Sequence, residues 1–364
     1  MNKKLLAAAV AGALALPGAA MAQVTISGIF KVGIDQYSKD RVAVSANNDS
    51  EMRITDNSSR IIIGVSEDLG GGLTAIGQWD LRAPMDSASS LSNSGNTWVG
   101  LRSTSWGTVT LGRHDLHYGS QPDDIASKAG ALMAAAVSLM DFTANGTAIA
   151  NATRTPNVVR WDSPNWGGFA LTAAYSTGNS AQEADLTGTE TGMAYNLKAA
   201  YTAANWQIGG SLWSMSSDGA TSLTQVEQDS QVLWGYIRFG GFKVGAAVNM
   251  AEVTVGGTAT QDRMSMTVPI SYTTGPHNFY AHYPIADDDD ATAGVEDGAT
   301  MMAFAYVYDL SKRTSVGVTF ATIDNDAAAA YNFFTNTGAL GSTGSAMTAG
   351  EDGQLIAFTV RHAF

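Results

Sequence analysis

Basic side chains recur in segments of the chain where apolar and polar residues alternate. Arg60 and Arg160 each occupy the phase opposite to their apolar neighbours, and Lys31 and Arg102 do the same in two other segments. Successive side chains of a β-strand point to opposite faces, so these cations are expected together on the less apolar face. A guanidinium stays charged at physiological pH, and a row of them would therefore create a permanent electrostatic field.

Arg113 conflicts with this alternation. Val109, Leu111 and Arg113 share one phase, which would put the arginine on the apolar face. A β-bulge or a strand end at Gly112 would return it to the face of the other arginines. Arg82 and Arg361 are further candidates for that face.

Enzymatic chemistry has little support in the sequence. The chain contains five histidines but no nucleophile motif, and a hydrolase needs a nucleophile, a base and an orienting acid that converge in space. It contains no cysteine, which excludes thiol chemistry and cysteine-based metal sites. The run Asp287 to Asp290 does not have the spacing of a calcium loop, so a solvated acidic loop is favoured over a metal site. We expect no cofactor and no bound metal.

The elements that must position the basic residues are β-strands. Apolar and polar residues alternate in segments of about ten residues, and turn signals separate the segments. Sixteen strands are predicted, at 24–37, 58–69, 72–83, 97–105, 107–114, 155–163, 168–178, 191–204, 205–217, 227–239, 241–253, 263–275, 276–284, 299–310, 312–323 and 352–364.

The connections between these strands alternate between short turns and long loops. The long loops are predicted at 38–57, 84–96, 115–154, 179–190, 218–226, 254–262, 285–298 and 324–351. This alternation places every long loop on one face of the sheet and both termini on the other, as in an outer-membrane β-barrel. A soluble β-sandwich is the alternative, although its physics does not require such alternation.

Both ends of the chain suit an exported membrane protein. Residues 1–22 read as a signal peptide, with Lys3 and Lys4 before a short apolar run and cleavage expected after Ala22. The last strand alternates to the final aromatic residue, Phe364, and has one apolar and one mixed face. It resembles the terminal strand that the outer-membrane assembly machinery recognises, so Phe364 is a candidate assembly signal.

Composition narrows the class of protein further. The formal net charge of −13 becomes 18 − 33 = −15 once the two signal-peptide lysines are removed. This acidity argues against a nucleic-acid partner. The 39 glycines and eight prolines suit a long β-meander with tight turns, and no apolar run after residue 22 is long enough for a helical membrane span.

Several short stretches, taken together, resemble the general diffusion porins of proteobacteria. The matching stretches are 59–64, 67–73, 106–113, 157–164, 308–314 and 360–364. The resemblance covers residues 23–364 as a single domain. It implies an all-β fold, a sixteen-stranded antiparallel transmembrane β-barrel that assembles as a homotrimer among the lipid and lipopolysaccharide of the outer membrane. The implied function is passive diffusion of ions and small hydrophilic solutes through a water-filled channel.

The resemblance also implies a pore constriction formed by the third long loop, residues 115–154. The loop contains an apolar stretch from Ala129 to Leu139, which would be buried if the loop folded against the inner wall. Its acids Asp123, Asp124 and Asp141 would then face a basic wall made of Arg60, Arg102, Arg113, Arg160 and Lys31. A positive wall opposite a negative loop would produce a transverse field across the narrow zone.

Two other functions and the ion preference stay open at this point. A solute-specific channel would reserve a binding site, and an outer-membrane enzyme would need a convergent catalytic group. Ion preference does not follow from total charge, because loop acids are screened beyond roughly 10 Å whereas wall arginines point at the ions.

Overall fold

The architecture is given by a computed structural model of the chain. It describes residues 22–40, 50–87, 89–117, 122, 124–144, 148–149, 154–178, 192–217, 225–335, 338–339 and 347–364. The predicted signal peptide lies outside these residues except for Ala22, and its cleavage stays a prediction.

Strands account for nearly all of the regular structure. They are β1 Gln23–Lys39, β2 Ser50–Asp56, β3 Arg60–Gly70, β4 Leu73–Arg82, β5 Thr97–Ser103, β6 Gly107–His114, β7 Thr155–Asp162, β8 Phe169–Ser176, β9 Met193–Thr202, β10 Trp206–Ser217, β11 Val226–Phe239, β12 Phe242–Val255, β13 Thr258–Thr267, β14 Ile270–Thr274, β15 His277–His282, β16 Pro284–Ala286, β17 Ala299–Asp309, β18 Thr314–Asn325, β19 Phe334–Thr335, β20 Gly338–Ala339 and β21 Gly353–Ala363. A 3₁₀ turn at Leu132–Ala134 and a helix α1 at Val137–Met140 are the helical elements of the described chain.

Nineteen of these strands form one closed antiparallel sheet. Three barrel strands are each interrupted once, between β2 and β3, between β13 and β14, and between β15 and β16. Counting each interrupted pair as one strand gives a barrel of 19 − 3 = 16 strands. β1 pairs with β2 and β3 on one side and with β21 on the other, which closes the barrel. The predicted sixteen-stranded fold is confirmed.

Alternation along each strand separates an outer from an inner face. On β17, Phe304 and Tyr306 are exposed whereas Ala303 and Ala305 are buried. β12, β13 and β18 show the same alternation of more exposed and buried residues. Among the described residues, no helix combines the length and apolarity needed to cross a bilayer.

One of the predicted long loops is a tight turn. Residues 254–262 were expected to form a loop, but β12 continues to Val255 and β13 begins at Thr258. Gly256 and Gly257 join them with φ of 59° and 80°, and glycine adopts this left-handed backbone without steric penalty. The lengths of the connections therefore do not alternate strictly.

The third long loop, residues 115–154 and hereafter loop 3, packs against the inner wall. Its apolar stretch shares a buried cluster with inward residues of β17, β18 and β21, among them Met301, Ala321 and Leu355. The N–H of Ala131 donates to Thr319 Oγ1 at 2.9 Å on β18. Burial of this stretch removes apolar surface that water would otherwise solvate.

Candidate pore constriction

Eight cations form a continuous group on the inner wall, which we call the basic band. They come from β21, β1, β3, β4, β6, β7 and β9 and from the end of loop 3, and they are Arg361, Lys31, Arg60, Arg82, Arg113, Arg160, Lys198 and Arg154.

Two guanidiniums of the band are fixed side by side by a shared partner. Arg60 and Arg82 are directly opposite one another on β3 and β4. The hydroxyl of Ser58 accepts from Arg60 Nη2 at 3.0 Å and from Arg82 Nη1 at 2.5 Å. Ser58 has a φ of 77° in the break between β2 and β3. Asp80 completes the group, with its Oδ2 at 3.1 Å from Arg82 Nη2 and 4.0 Å from Arg60 Nη1.

A second group lies where loop 3 leaves and rejoins the wall. Arg160 forms a salt bridge with Asp162, with Nη2 at 2.8 Å from Oδ1, and its Nη1 donates to the carbonyl of Asp115 at 3.2 Å. Arg154 Nε lies 3.3 Å from Asp115 Oδ1. Asn96 also binds Asp115 through its side-chain amide, at 2.9 Å. The two ends of loop 3 are thus tied to each other and to β7.

The bulge predicted at Gly112 is present. The β6–β7 ladder shifts register between Gly112 and His114, and Gly112 has a φ of 147°. Arg113 is half-buried and interacts electrostatically with Arg154 and Asp115. The irregular backbone therefore lets Arg113 join the basic band against the simple alternation of β6.

Lys31 and Arg102 occupy different environments from the half-exposed arginines. Lys31 is 4% exposed, and its ammonium donates to the carbonyl of Ala126 in loop 3 at 2.7 Å. Arg102 is exposed and pairs with Thr108, beside the short turn that joins β5 to β6. Arg160 pairs with Thr110, so Arg102 is offset by two residues, about 7 Å along the strand, and lies outside the band.

Of the predicted loop acids, the two that the structure describes, Asp124 and Asp141, do not lie beside the arginines. Asp124 Oδ2 lies 2.6 Å from Lys243 Nζ on β12, so this carboxylate anchors loop 3 to another part of the wall. Asp141 is 3% exposed, buried next to the end of α1. Asp123 lies outside the described residues. The expected arrangement of loop acids facing the band is therefore corrected for Asp124 and Asp141.

The carboxylates beside the basic band are instead Asp80, Asp115 and Asp162. The alternation contained a signal for two of them, because Asp80 and Arg82, and likewise Arg160 and Asp162, are two residues apart and share a face. Asp115, Arg154 and Lys198 carried no comparable signal.

Fixed charge in the band is predominantly positive. Asp56 also interacts with Lys31, which gives four acids among the eight cations. The chain carries a formal net charge of −13, so the band is a local reversal of the overall sign. Among the described residues, no group of three or more His, Asp or Glu side chains could hold a metal ion.

Comparison with known proteins agrees with this fold. The family model described as Gram-negative porin matches residues 7–328. Outer membrane porin protein 32 of Delftia acidovorans is 27% identical over 379 residues, with full coverage of both chains.

Two solved structures share the fold. An anion-selective porin from Comamonas acidovorans has a TM-score of 0.76 at 22% identity and covers 94% of this chain and 100% of its own. The trimer form of OmpT, an outer membrane protein of Vibrio cholerae, has a TM-score of 0.67 at 12% identity, covering 94% and 99%.

The match over most of the chain places this protein in the Gram-negative porin family. It is an outer-membrane porin whose water-filled β-barrel allows passive diffusion of ions and small hydrophilic solutes.

Proposed function

We propose that the pore is narrowest between loop 3 and the basic band and that it conducts anions in preference to cations. The carrying observation is the excess of basic over acidic side chains in the band, eight to four; Lys31 is buried beneath loop 3, and the other seven basic side chains keep partial exposure. Fixed charges at a constriction act on ions at close range, whereas loop acids outside it are screened by salt.

The geometry of the arginines supports this role. Arg60 and Arg160 keep side-chain exposures of 28% each while bound to Ser58, Asp80 and Asp162. They are therefore oriented by the wall yet accessible to passing ions. The similar Comamonas acidovorans structure is described as anion-selective, which agrees with this proposal.

The decisive measurement is the reversal potential of the purified porin in a salt gradient across a planar bilayer. Wild-type protein is expected to favour anions. Replacing both Arg60→Gln and Arg160→Gln removes two fixed positive charges, so the anion preference should fall about five-fold, which corresponds to about 1 kcal/mol for an ion a few ångströms away.

Arg102→Gln is the matched control, because it removes the same charge from the inner wall outside the band. Arg102→Gln should shift the reversal potential much less than the single variants Arg60→Gln and Arg160→Gln do. A cation-selective wild type, or equal shifts for Arg102→Gln and Arg160→Gln, would refute the proposed constriction.

We also infer that the porin is a homotrimer with its interface on β1–β6. Exposed outward tyrosines, which suit the membrane–water interface, lie between β8 and β17; they are Tyr175, Tyr195, Tyr201, Tyr283, Tyr306 and Tyr308. The outer face of β1–β6 is instead mainly aliphatic, with Ile34, Ile54 and Leu111 exposed. OmpT of Vibrio cholerae was solved in a trimer form.

The trimer can be tested with single cysteines, since the chain has none of its own. A cysteine at Val65 should be protected from lipid-soluble thiol reagents in the native assembly, whereas one at Val318 should react. Equal reactivity of the two sites would exclude this interface.

We infer finally that the chain is a channel and has no enzymatic activity. A serine hydrolase requires a serine hydroxyl that donates to histidine and reaches substrate. The hydroxyl of Ser230, beside His117, donates instead to Asn249 Oδ1 at 2.7 Å, and both residues are buried. Measurable lipid or peptide hydrolysis by the purified porin would contradict this inference.

A further inference from the structure

His117 occupies a buried polar site that the charge of the pore does not explain. It is 2% exposed and lies in loop 3 two residues after Asp115. Its Nδ1 lies 2.9 Å from Ser211 Oγ on β10, and its Nε2 lies 2.9 Å from Ser230 Oγ on β11. The imidazole therefore bridges two neighbouring strands of the wall.

The hydrogen bonds around His117 form a chain with a defined direction. Asn249 Nδ2 donates to the carbonyl of Met140 at 2.9 Å, which orients the amide so that its Oδ1 accepts from Ser230. The hydroxyl of Ser230 has then used its proton and must accept from His117 Nε2–H.

The other end of the chain fixes the second ring nitrogen. Asn196 Nδ2 donates to the carbonyl of Leu212 at 2.8 Å and to Ser211 Oγ at 2.9 Å. Ser211 is thus free to donate its own proton to Nδ1 of His117, which accepts. The hydrogen bonds place the ring proton on Nε2, and burial of the ring favours the neutral imidazole, whose Nδ1 accepts from Ser211.

This series of hydrogen bonds attaches both limbs of loop 3 to four consecutive strands. His117 belongs to the outgoing limb and Met140 to the returning limb, while Asn196, Ser211, Ser230 and Asn249 belong to β9, β10, β11 and β12. Met140 and Ala136 also pack against Val232 and Ala247 on the wall below.

We propose that His117 positions loop 3 through this directed hydrogen-bond chain and holds it only while the imidazole is neutral, which puts the width of the pore under proton control. The proposal rests on loop 3 forming the constriction. In the neutral state the Ser211 hydroxyl donates to Nδ1. Protonation places a hydrogen on that nitrogen, which removes the acceptor, and it also introduces a charge into a buried site.

The electrostatic surroundings oppose protonation. β10, β11 and β12 present the neutral Ser211, Ser230 and Asn249, and β9 contributes the cation Lys198. Burial, and to a smaller extent Lys198, lowers the pKa of His117 from 6.5 to about 4. The carboxylate of Asp115, the nearest acid along loop 3, is engaged by Arg154 and by the side-chain amide of Asn96.

The sign of the pH effect follows from this shift. Above pH 6.5 the imidazole is neutral in both docked and released loops, so the pKa shift contributes nothing. Between pH 6.5 and about 4 the released loop binds a proton that the docked loop excludes, and docking is weakened roughly 150-fold by pH 4. Loop 3 can then leave the wall and move into the passage.

The test compares single-channel conductance between about pH 7.5 and about pH 4 for wild type and His117→Gln, a range that brackets the titration of histidine. Wild-type conductance should fall as the pH decreases, and His117→Gln should lack this transition. His362→Gln makes the same chemical change on the outer surface and should keep the wild-type profile. Ser211→Ala removes the hydroxyl that competes for Nδ1, so its transition should move to higher pH.

Loop release can be measured independently in this cysteine-free chain. Ala136 is buried against the wall and Ser127 is exposed, so the labelling rate of Ala136→Cys relative to Ser127→Cys reports whether loop 3 is docked. The ratio should rise on acidification and stay constant when His117→Gln is added.

A wild type without an acid transition, or a His117→Gln variant that keeps it, would overturn the proposal. Neither result would affect the anion preference measured at neutral pH, so the two proposals fail separately.

Discussion

The two sides of the inner wall differ in whether their inward side chains meet water or loop 3. On β17, β18 and β21 the inward residues are small or apolar, including Ala303, Ala321 and Ala357, and they are fully buried under the loop. On β3, β4 and β7 the inward residues include Arg60, Arg82 and Arg160, which keep partial exposure. Strand geometry is the same on both sides, so the chemistry of the inward phase decides where the loop packs.

Ion pairs differ between the two sides in the same way. Lys39 and Glu351 form a 2.9 Å pair on the covered side, with exposures of 3% and 2%. Arg160 and Asp162 form a 2.8 Å pair on the open side, with exposures of 28% and 33%. The buried pair is isolated from salt and serves structure, whereas the accessible pair can act on ions in transit.

The largest effect is expected from a charge placed on the covered side. Ala303→Glu would bury a carboxylate under loop 3, and an unpaired buried charge costs several kcal/mol. The loop should therefore leave the wall, giving a lower and more variable single-channel conductance together with a lower unfolding temperature.

Ala303→Ser is the control for Ala303→Glu, since it changes the same position without adding a charge or much volume. It should retain near-wild-type conductance. Stable, wild-type conductance in Ala303→Glu would show that loop 3 is not held by this surface.

A smaller effect is expected from a change on the open side. Asp162→Asn releases Arg160 from its carboxylate, so the anion preference should increase about two-fold, as expected for a half-exposed pair worth about 0.5 kcal/mol. Reversal potentials measure this directly. The stability of the barrel should hardly change.

Asp290→Asn provides the matched control for Asp162→Asn. It removes the same charge from an exposed position in an outer loop, where salt screens it. If Asp290→Asn shifted the reversal potential as much as Asp162→Asn, selectivity would depend on total charge and not on the basic band.

The barrel was predictable from sequence because its information is local. Alternation over β17 or β12 fixes both strand and facing, and the chain contains sixteen such segments. The turn at Gly256 and Gly257 was mistaken for a loop because β12 and β13 become polar near their outer ends, as at Glu252 and Asp262, where the apolar signal stops before the strands do.

The site was only partly predictable because its pairings are long-range. Alternation identified Arg60 and Arg160, and the bulge at Gly112 explained Arg113. The alternation of apolar and polar residues does not show how far along the barrel axis a residue lies. Arg102 was therefore grouped with arginines that it does not approach. The partners of Asp124 and the burial of Asp141 depend on the path of loop 3 through the lumen, which no local pattern encodes. The inward-facing alanines of β17 were the sequence signal for that path, because small apolar side chains leave room for loop 3 to pack against the strand.

The register that closes the barrel has a consequence for folding. Lys31 and Arg361 are direct partners across the β1–β21 seam, and Gly28 exchanges backbone hydrogen bonds with Phe364 close to them. Like charges that face each other across an antiparallel pair are destabilising, and this pairing also joins residues from opposite ends of the sequence. The β1–β21 seam that completes the cylinder is therefore weakened by two of the like charges that belong to the basic band, and closing the barrel has to overcome their repulsion.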